Sequence, residues 1–137
     1  MECIFCDIGA GAAPAERLLE TERVVAFLDI APVNYGHTLV IPKDHYATFL
    51  DLPDDLWTEM SQVARRVAGA LRKVLYAQGF NLGMNNFEAA GQVVFHAHLH
   101  VIPRYSTDGL HFFPQGVYHG KDRENTGRQL RDYLTGL

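Results

Sequence analysis

The 137-residue chain holds only two cysteines and one tryptophan, and no uninterrupted apolar run approaches the ~20 residues that cross a bilayer. Two cysteines cannot build the disulfide framework of a small secreted domain. Cys3 and Cys6, three positions apart, instead suit a metal site or a redox pair in a reducing compartment. Basic residues are not in excess: 12 Lys and Arg stand against 16 Asp and Glu, a net charge of −4. That balance excludes a general electrostatic pull towards nucleic acid, so any phosphate must be held by a local site. The opening Met1-Glu2-Cys3-Ile4 has neither the basic segment nor the apolar stretch of a signal peptide, and a cytoplasmic location without membrane attachment is expected. Repeats, low-complexity tracts and long linkers are missing too, which leaves one domain over residues 1–137 as the expectation.

What is present is a globular composition, 47% hydrophobic and 20% charged, sufficient for a real core. Val24 to Ile30 reads as a buried strand ended by Pro32 and Gly36, and His37 to Pro42 as its hairpin partner. Pro53 suits a first helical turn, with Asp54 and Asp55 at the positive end of the dipole. Leu56, Met60, Val63, Val67, Leu71 and Val74 then recur at helical spacing, with Arg65, Arg66, Arg72 and Lys73 on the polar face and Gly79 as the terminator. Phe80 to Asn85 and Val93 to Pro103 read as two further strands joined by the turn-rich residues 86–91, and Arg123 to Leu134 as a short terminal helix. Strands around one long helix, without regular alternation, predict an α+β fold with a meandering, mostly antiparallel sheet. Gly9 to Pro14 is a loop by composition, and Gly9-Ala10-Gly11 is no dinucleotide fingerprint, since no strand precedes it and the third glycine is absent.

Histidine is abundant, seven in all, and its placement carries the chemistry. In His96-Ala97-His98-Leu99-His100-Val101 the alternation of an extended strand puts three imidazoles on one face, along roughly 13 Å, with Ala97, Leu99 and Val101 turned into the core. A solvated histidine face, a three-histidine metal site and a nucleophilic centre are the readings open to such a row. Parallel side chains on a flat strand do not easily converge on one ion. Neutral imidazole is a good nucleophile near pH 7, and His98 has a histidine on either side to hold an anion.

This run, followed by Ile102-Pro103-Arg104, resembles the motif of the histidine-triad (HIT) family. Cys3-Ile4-Phe5-Cys6, Ala26 to Ile30, Gly36 to Pro42, His45, Asn85 and Gly91-Gln92 fall in that family's order, so the resemblance covers roughly residues 3–105, with residues 106–137 as a C-terminal extension. It implies that His98 attacks the α-phosphorus of a purine nucleotide and forms a transient nucleotidyl-histidine, oriented by its other ring nitrogen. His100, with His37 nearby, would contact a phosphate oxygen or the leaving group, and Asn85 and Gln92 would donate to the phosphate. Asp29 would accept from the ribose, and Ile4, Phe5 and Phe27 would wall the base pocket. Plainer roles compete: a turn initiator for Asp29, a turn residue for Asn85, and ordinary core for Phe5 and Phe27.

Relatives of the zinc-containing bacterial-type branch use two cysteines, a histidine after the second strand and the first triad histidine. The resemblance therefore implies a structural Cys2His2 zinc site of Cys3, Cys6, His45 and His96. The competing role of His96 is a metal-free hydrogen-bond chain with His98. A homodimer is implied as well. Phe87 stands where many relatives have glycine, Val93 stands where a serine is common, and 34 residues follow Pro103, all of which bear on the leaving group. The expected activity is hydrolysis or transfer at the α-phosphate of a nucleoside phosphoramidate or adenylate. Dinucleoside polyphosphate hydrolysis, a nucleotide- or zinc-binding regulatory module with little turnover, and a Cys3/Cys6 oxidoreductase are the alternatives. His111 and His119 read as solvated loop residues.

Overall fold

A computed structural model describes residues 2–136. The elements before the long helix are α1 Ile4–Gly9, β1 Arg17–Glu20, β2 Val24–Leu28 and β3 Thr38–Pro42. They are followed by α2 Asp54–Val74, β4 Gly79–Gly83, β5 Leu99–Arg104 and α3 Asp122–Leu134, with short 3-10 turns at Phe49–Asp51 and Glu88–Ala90. The strands form one five-stranded sheet in the order β1-β2-β3-β5-β4, antiparallel throughout. The expected α+β meander with a long helix and a C-terminal helix is the observed fold.

Helix α2 starts after Pro53, and its buried residues Leu56, Met60, Val63, Ala64, Val67, Ala68 and Leu71 make one apolar stripe. They pack on Val24, Ala26, Val40, Leu99 and Val101 of the sheet. The opposite face carries Val25, Phe27, Leu39 and Ile41, covered by Phe5 and Ile8 of α1. Being covered on both sides explains why β2 and β3 read as continuous apolar runs instead of alternating ones. The helix ends at Val74, short of Gly79, because Tyr76 takes a left-handed φ of 56° and the N–H groups of Leu75 and Ala77 both bond back to the Leu71 carbonyl. Gly79 opens β4 instead.

The strand expected from Val93 begins only at Leu99. Val93 is 86% exposed, and His96 and His98 precede the regular ladder. Ala97, Leu99 and Val101 do enter the helix-side core, as the alternation requires. The histidine face, however, is not an open surface: His96 is fully buried and His98 nearly so. Helix α1, an element not expected from the sequence, roofs it, with Phe5 edge-on to His96 and His98. Helix α3 has no buried residue, and no helix of the described residues is long and apolar enough to cross a membrane.

Candidate active site and metal centre

The backbone just ahead of β5 orients the central histidine. His98 Nδ1 lies 2.7 Å from the His96 carbonyl, which can only accept, so Nδ1 carries the proton and Nε2 keeps its lone pair. The edge of the Phe5 ring sits 5.1 Å from the His98 ring in a T-shaped contact, which limits rotation.

The same bookkeeping fixes the next pair. The Val33 N–H donates to His37 Nδ1 at 3.0 Å, so the His37 proton resides on Nε2. That nitrogen is 2.9 Å from His100 Nδ1 and donates to it, which leaves the His100 proton on Nε2. Among the described residues, His100 Nε2 is the buried side-chain polar atom without a hydrogen-bond partner. A buried donor in that condition costs about 1–3 kcal/mol unless something accepts from it. The ring centroids of His98 and His100 are 5.0 Å apart, so a lone pair and an unsatisfied donor stand side by side. Burial pushes His100 down to about 4, helped by His98 and His37 and opposed by Asp29. Burial lowers His37 as well, against the attraction of Asp29.

Asp29 follows β2 and divides its oxygens. Oδ1 accepts from the Ala31 N–H at 2.9 Å, the turn role, while Oδ2 faces His37 Nε2 at 3.6 Å. Phe27 is buried edge-to-face with Phe5 at 5.7 Å, so both serve the core, whereas Ile4 is 51% exposed. Asn85 is exposed and its side chain bonds to no other among the described residues, which leaves it available to a ligand. Gln92 does not match the donor role expected of it. Its amide is buried, accepts from the Phe87 N–H at 2.8 Å and donates to the carbonyls of Ala47 and Val94 at 2.7 and 3.1 Å. No amide hydrogen remains for a phosphate, and the residue holds the loop below the site.

Cys3, Cys6, His45 and His96 converge on the other flank, with their donor atoms all within 4.8 Å of one another. His96 Nδ1 is 3.4 Å from Cys3 Sγ and 3.5 Å from Cys6 Sγ, and His45 Nδ1 is 3.3 Å from Cys6 Sγ. A tetrahedral zinc with ordinary Zn–S and Zn–N lengths sets neighbouring N and S ligands about 3.5 Å apart, so the donor set fits. His96 Nε2 donates to the Pro42 carbonyl at 2.7 Å, which turns the Nδ1 lone pair towards the sulfurs and supplies the outer-shell bond typical of a histidine ligand. Burial and the neighbouring Cys3 push the Cys6 thiol up to about 11, an environment that a dication would reverse. His96 thus serves this cluster with its ring and His98 with its carbonyl, so the two roles proposed for it from sequence are not exclusive.

Two features escaped the sequence reading. Phe87 has φ 71° and ψ 159°, a region in which glycine alone is at ease. Asn34, from the loop between β2 and β3, joins Arg104 and Asp108 in a polar cluster at the end of β5, for which the sequence signal is the Asp108-Gly109 turn dipeptide. His111 and His119 are exposed in the extension, as expected.

A five-stranded meander crossed by one long helix, with a histidine row ending in a free imidazole nitrogen, defines a histidine-triad domain. The HIT domain model matches residues 10–107, and the chain belongs to that family. Among solved structures it is similar to a zinc-bound histidine-triad protein from Mycobacterium smegmatis, 44% identical, with a TM-score of 0.77 over 99% of this chain and 95% of that one. A histidine triad nucleotide-binding protein from Candida albicans is 32% identical, with a TM-score of 0.86 over 98% of this chain and 99% of that one. The adenylylsulfatase HINT3 of Arabidopsis thaliana is 39% identical over 109 residues, 80% of this chain and 55% of that protein. The zinc-bound relative, together with the Cys2His2 donor set, aligns the chain with the zinc-containing branch.

Proposed function

We propose that the protein binds a purine nucleotide and cleaves the bond between its α-phosphate and a leaving group, by way of a nucleotidyl-His98. The observation that carries this reading is the paired state of the two triad rings: an unprotonated Nε2 on His98 beside an unsatisfied Nε2–H on His100. In the first step His98 Nε2 forms a bond to the α-phosphorus as the bond to the leaving group breaks; a sulfate departs with the electron pair as the anion, and an amine departs carrying a proton taken up from solvent. His100 Nε2–H hydrogen-bonds the phosphate oxygen or the departing atom, and its low basicity keeps it neutral near pH 7. In the second step water attacks the phosphorus as the P–Nε2 bond breaks, His98 leaves as the neutral imidazole and the water's proton passes to solvent, so one difficult displacement becomes two easier ones. Asp29 Oδ2 accepts from the ribose, and Ile4 and Asn85 border the nucleotide.

The adenylylsulfatase activity named for the Arabidopsis relative supports an adenylate-type substrate. Cys3, Cys6, His45 and His96 would hold a zinc ion in a structural role, since four protein ligands would tie α1 to the histidine row and leave no position for substrate. A homodimer completes the reading. Strand β4 is a sheet edge with Phe80 and Leu82 exposed, and with α2 it borders an apolar groove of about 730 Å³ lined by Trp57, Ala64, Ala68 and Met84.

The test is hydrolysis of adenosine 5′-phosphoramidate and adenosine 5′-phosphosulfate by the wild type beside His98→Ala. Turnover of either that vanishes in the variant, with nucleotide binding kept, is the expected result. Equal rates in both proteins, or binding without turnover in the wild type, overturns it.

A further inference from the structure

The polar cluster at the end of β5 plays no part in the scheme above, yet it reaches the site. The Asp108 carboxylate, 7% exposed, accepts from Arg104 Nε and Nη2 at 2.8 and 3.1 Å and from the N–H groups of Tyr105 and Leu110, both at 3.0 Å. Arg104 and these backbone donors hold it well below the usual carboxylate range. Those four bonds close a local turn. The fifth does not: it comes from Asn34 Nδ2 at 3.1 Å, in the loop between β2 and β3, and the same amide donates to the Pro103 carbonyl at 2.8 Å.

Asn34 sits where two bonds to His37 originate. Its own carbonyl accepts the His37 N–H at 3.0 Å, and the residue before it, Val33, supplies the N–H that fixes the His37 tautomer. Its side chain is the link from this loop to the β5 terminus. The loop's other anchors lie at its ends, in the Ala31 N–H bond to Asp29 Oδ1, the Thr38 hydroxyl bond to the Gly36 carbonyl and the close packing of Gly36 on Leu71 and Leu75. Among the described residues, Asn34 alone therefore fixes the middle of the loop by a side-chain bond to β5.

We propose that Asp108 and Asn34 form a latch that positions His37 and, through it, the Nε2–H of His100. Asn34 and Asp108 are positioning residues, since they act through His37 and not on the substrate. The kinetic consequence rests on the nucleotidyl-transfer reading, whereas the tautomer consequence stands without it. Asp108 lies one residue beyond the matched HIT domain, so the latch gives the first residues of the C-terminal extension a function.

Imidazole ¹⁵N NMR on the full-length, zinc-loaded protein separates this from simple turn closure. The wild type is expected to show His37 and His100 as pure Nε2–H tautomers. In Asn34→Ala, which leaves the Arg104–Asp108 pair intact, both rings should become mixtures, and kcat on adenosine 5′-phosphoramidate should fall about 10-fold with KM little changed. Asp108→Asn should move both readouts in the same direction. If that variant fails to fold, Asn34→Ala still decides. Unchanged His37 and His100 tautomers in folded Asn34→Ala overturn the latch, and altered tautomers with kcat unchanged overturn its part in turnover. A wild type that hydrolyses nothing defeats the nucleotidyl-transfer reading instead, and the tautomers alone then judge the latch.

Discussion

Replacing His100 by Asn should flatten the acid side of the stability profile. In the unfolded chain this imidazole titrates near 6.5, while in the folded site burial brings it to about 4. As pH falls, the unfolded state therefore takes up the proton first. The folded state is fully favoured above the unfolded value and loses that advantage as pH drops towards 4. The whole gap is worth about 3 kcal/mol at 1.36 kcal/mol per pKa unit, of which about 2 kcal/mol falls between pH 7.5 and pH 5. His100 is only partly buried, so solvent screening reduces the observable share to about 1 kcal/mol. Urea unfolding of wild type and His100→Asn at pH 7.5, 6 and 5 measures it, and the metal ligands, common to both proteins, cancel in the difference. The wild type should lose about 1 kcal/mol more than the variant over that range. Parallel losses would refute the burial argument. The lowered His37 acts in the same direction and should give a smaller effect of the same sign.

Three further outcomes follow from particular residues. Protein purified without added metal should contain about one zinc per chain, and chelation should lower stability by several kcal/mol; metal-free protein with both thiols freely titratable would exclude the site. Met60 has no exposed surface at the centre of the α2 stripe, so Met60→Ala should cost about 2–5 kcal/mol in denaturant unfolding. Phe87→Gly should raise stability by about 1 kcal/mol, because relief of a strained φ outweighs the entropy glycine adds to the unfolded chain. A clear loss of stability in that variant would mean that the half-exposed Phe87 ring packs more productively than its backbone suggests.

How much of this was legible in the sequence depended on whether a signal was local. The α2 stripe was readable because its period follows the one face it buries, and β2 and β3 because burial on both faces leaves short continuous apolar runs. Helix α1 was not, since six residues capped by the Cys3 sulfur, which accepts from the Cys6 N–H, carry too little pattern to separate from a loop. The start of β5 was misplaced because Val93, Val94 and Phe95 are β-formers and residues 96–98 keep the strand's alternation, yet none of them pairs in the ladder, which composition cannot show. Gly79 was compatible with ending a helix or opening a strand, and only Tyr76 in the left-handed region decides between them. The donor set of Cys3, Cys6, His45 and His96 came from family resemblance, and no spacing rule would have joined positions so far apart. Gln92 shows the limit of that approach: its residue type suits a phosphate donor, but the carbonyls of Ala47 and Val94 already take its hydrogens.

His96 is where the two halves of the site become one object. Its ring lies between the Pro42 carbonyl and the two sulfurs, and its backbone carbonyl receives the Nδ1 proton of His98. Any rotation of the His96 peptide therefore lengthens the bond that keeps the His98 lone pair on Nε2. A metal bound to the ring resists that rotation from a position where it touches no substrate. On this reasoning, loss of zinc should reduce kcat before it unfolds the chain, and the drop should coincide with mixed tautomers at His98. A metal-free protein that retains both the pure His98 tautomer and full turnover would separate the two halves and confine the metal to stability.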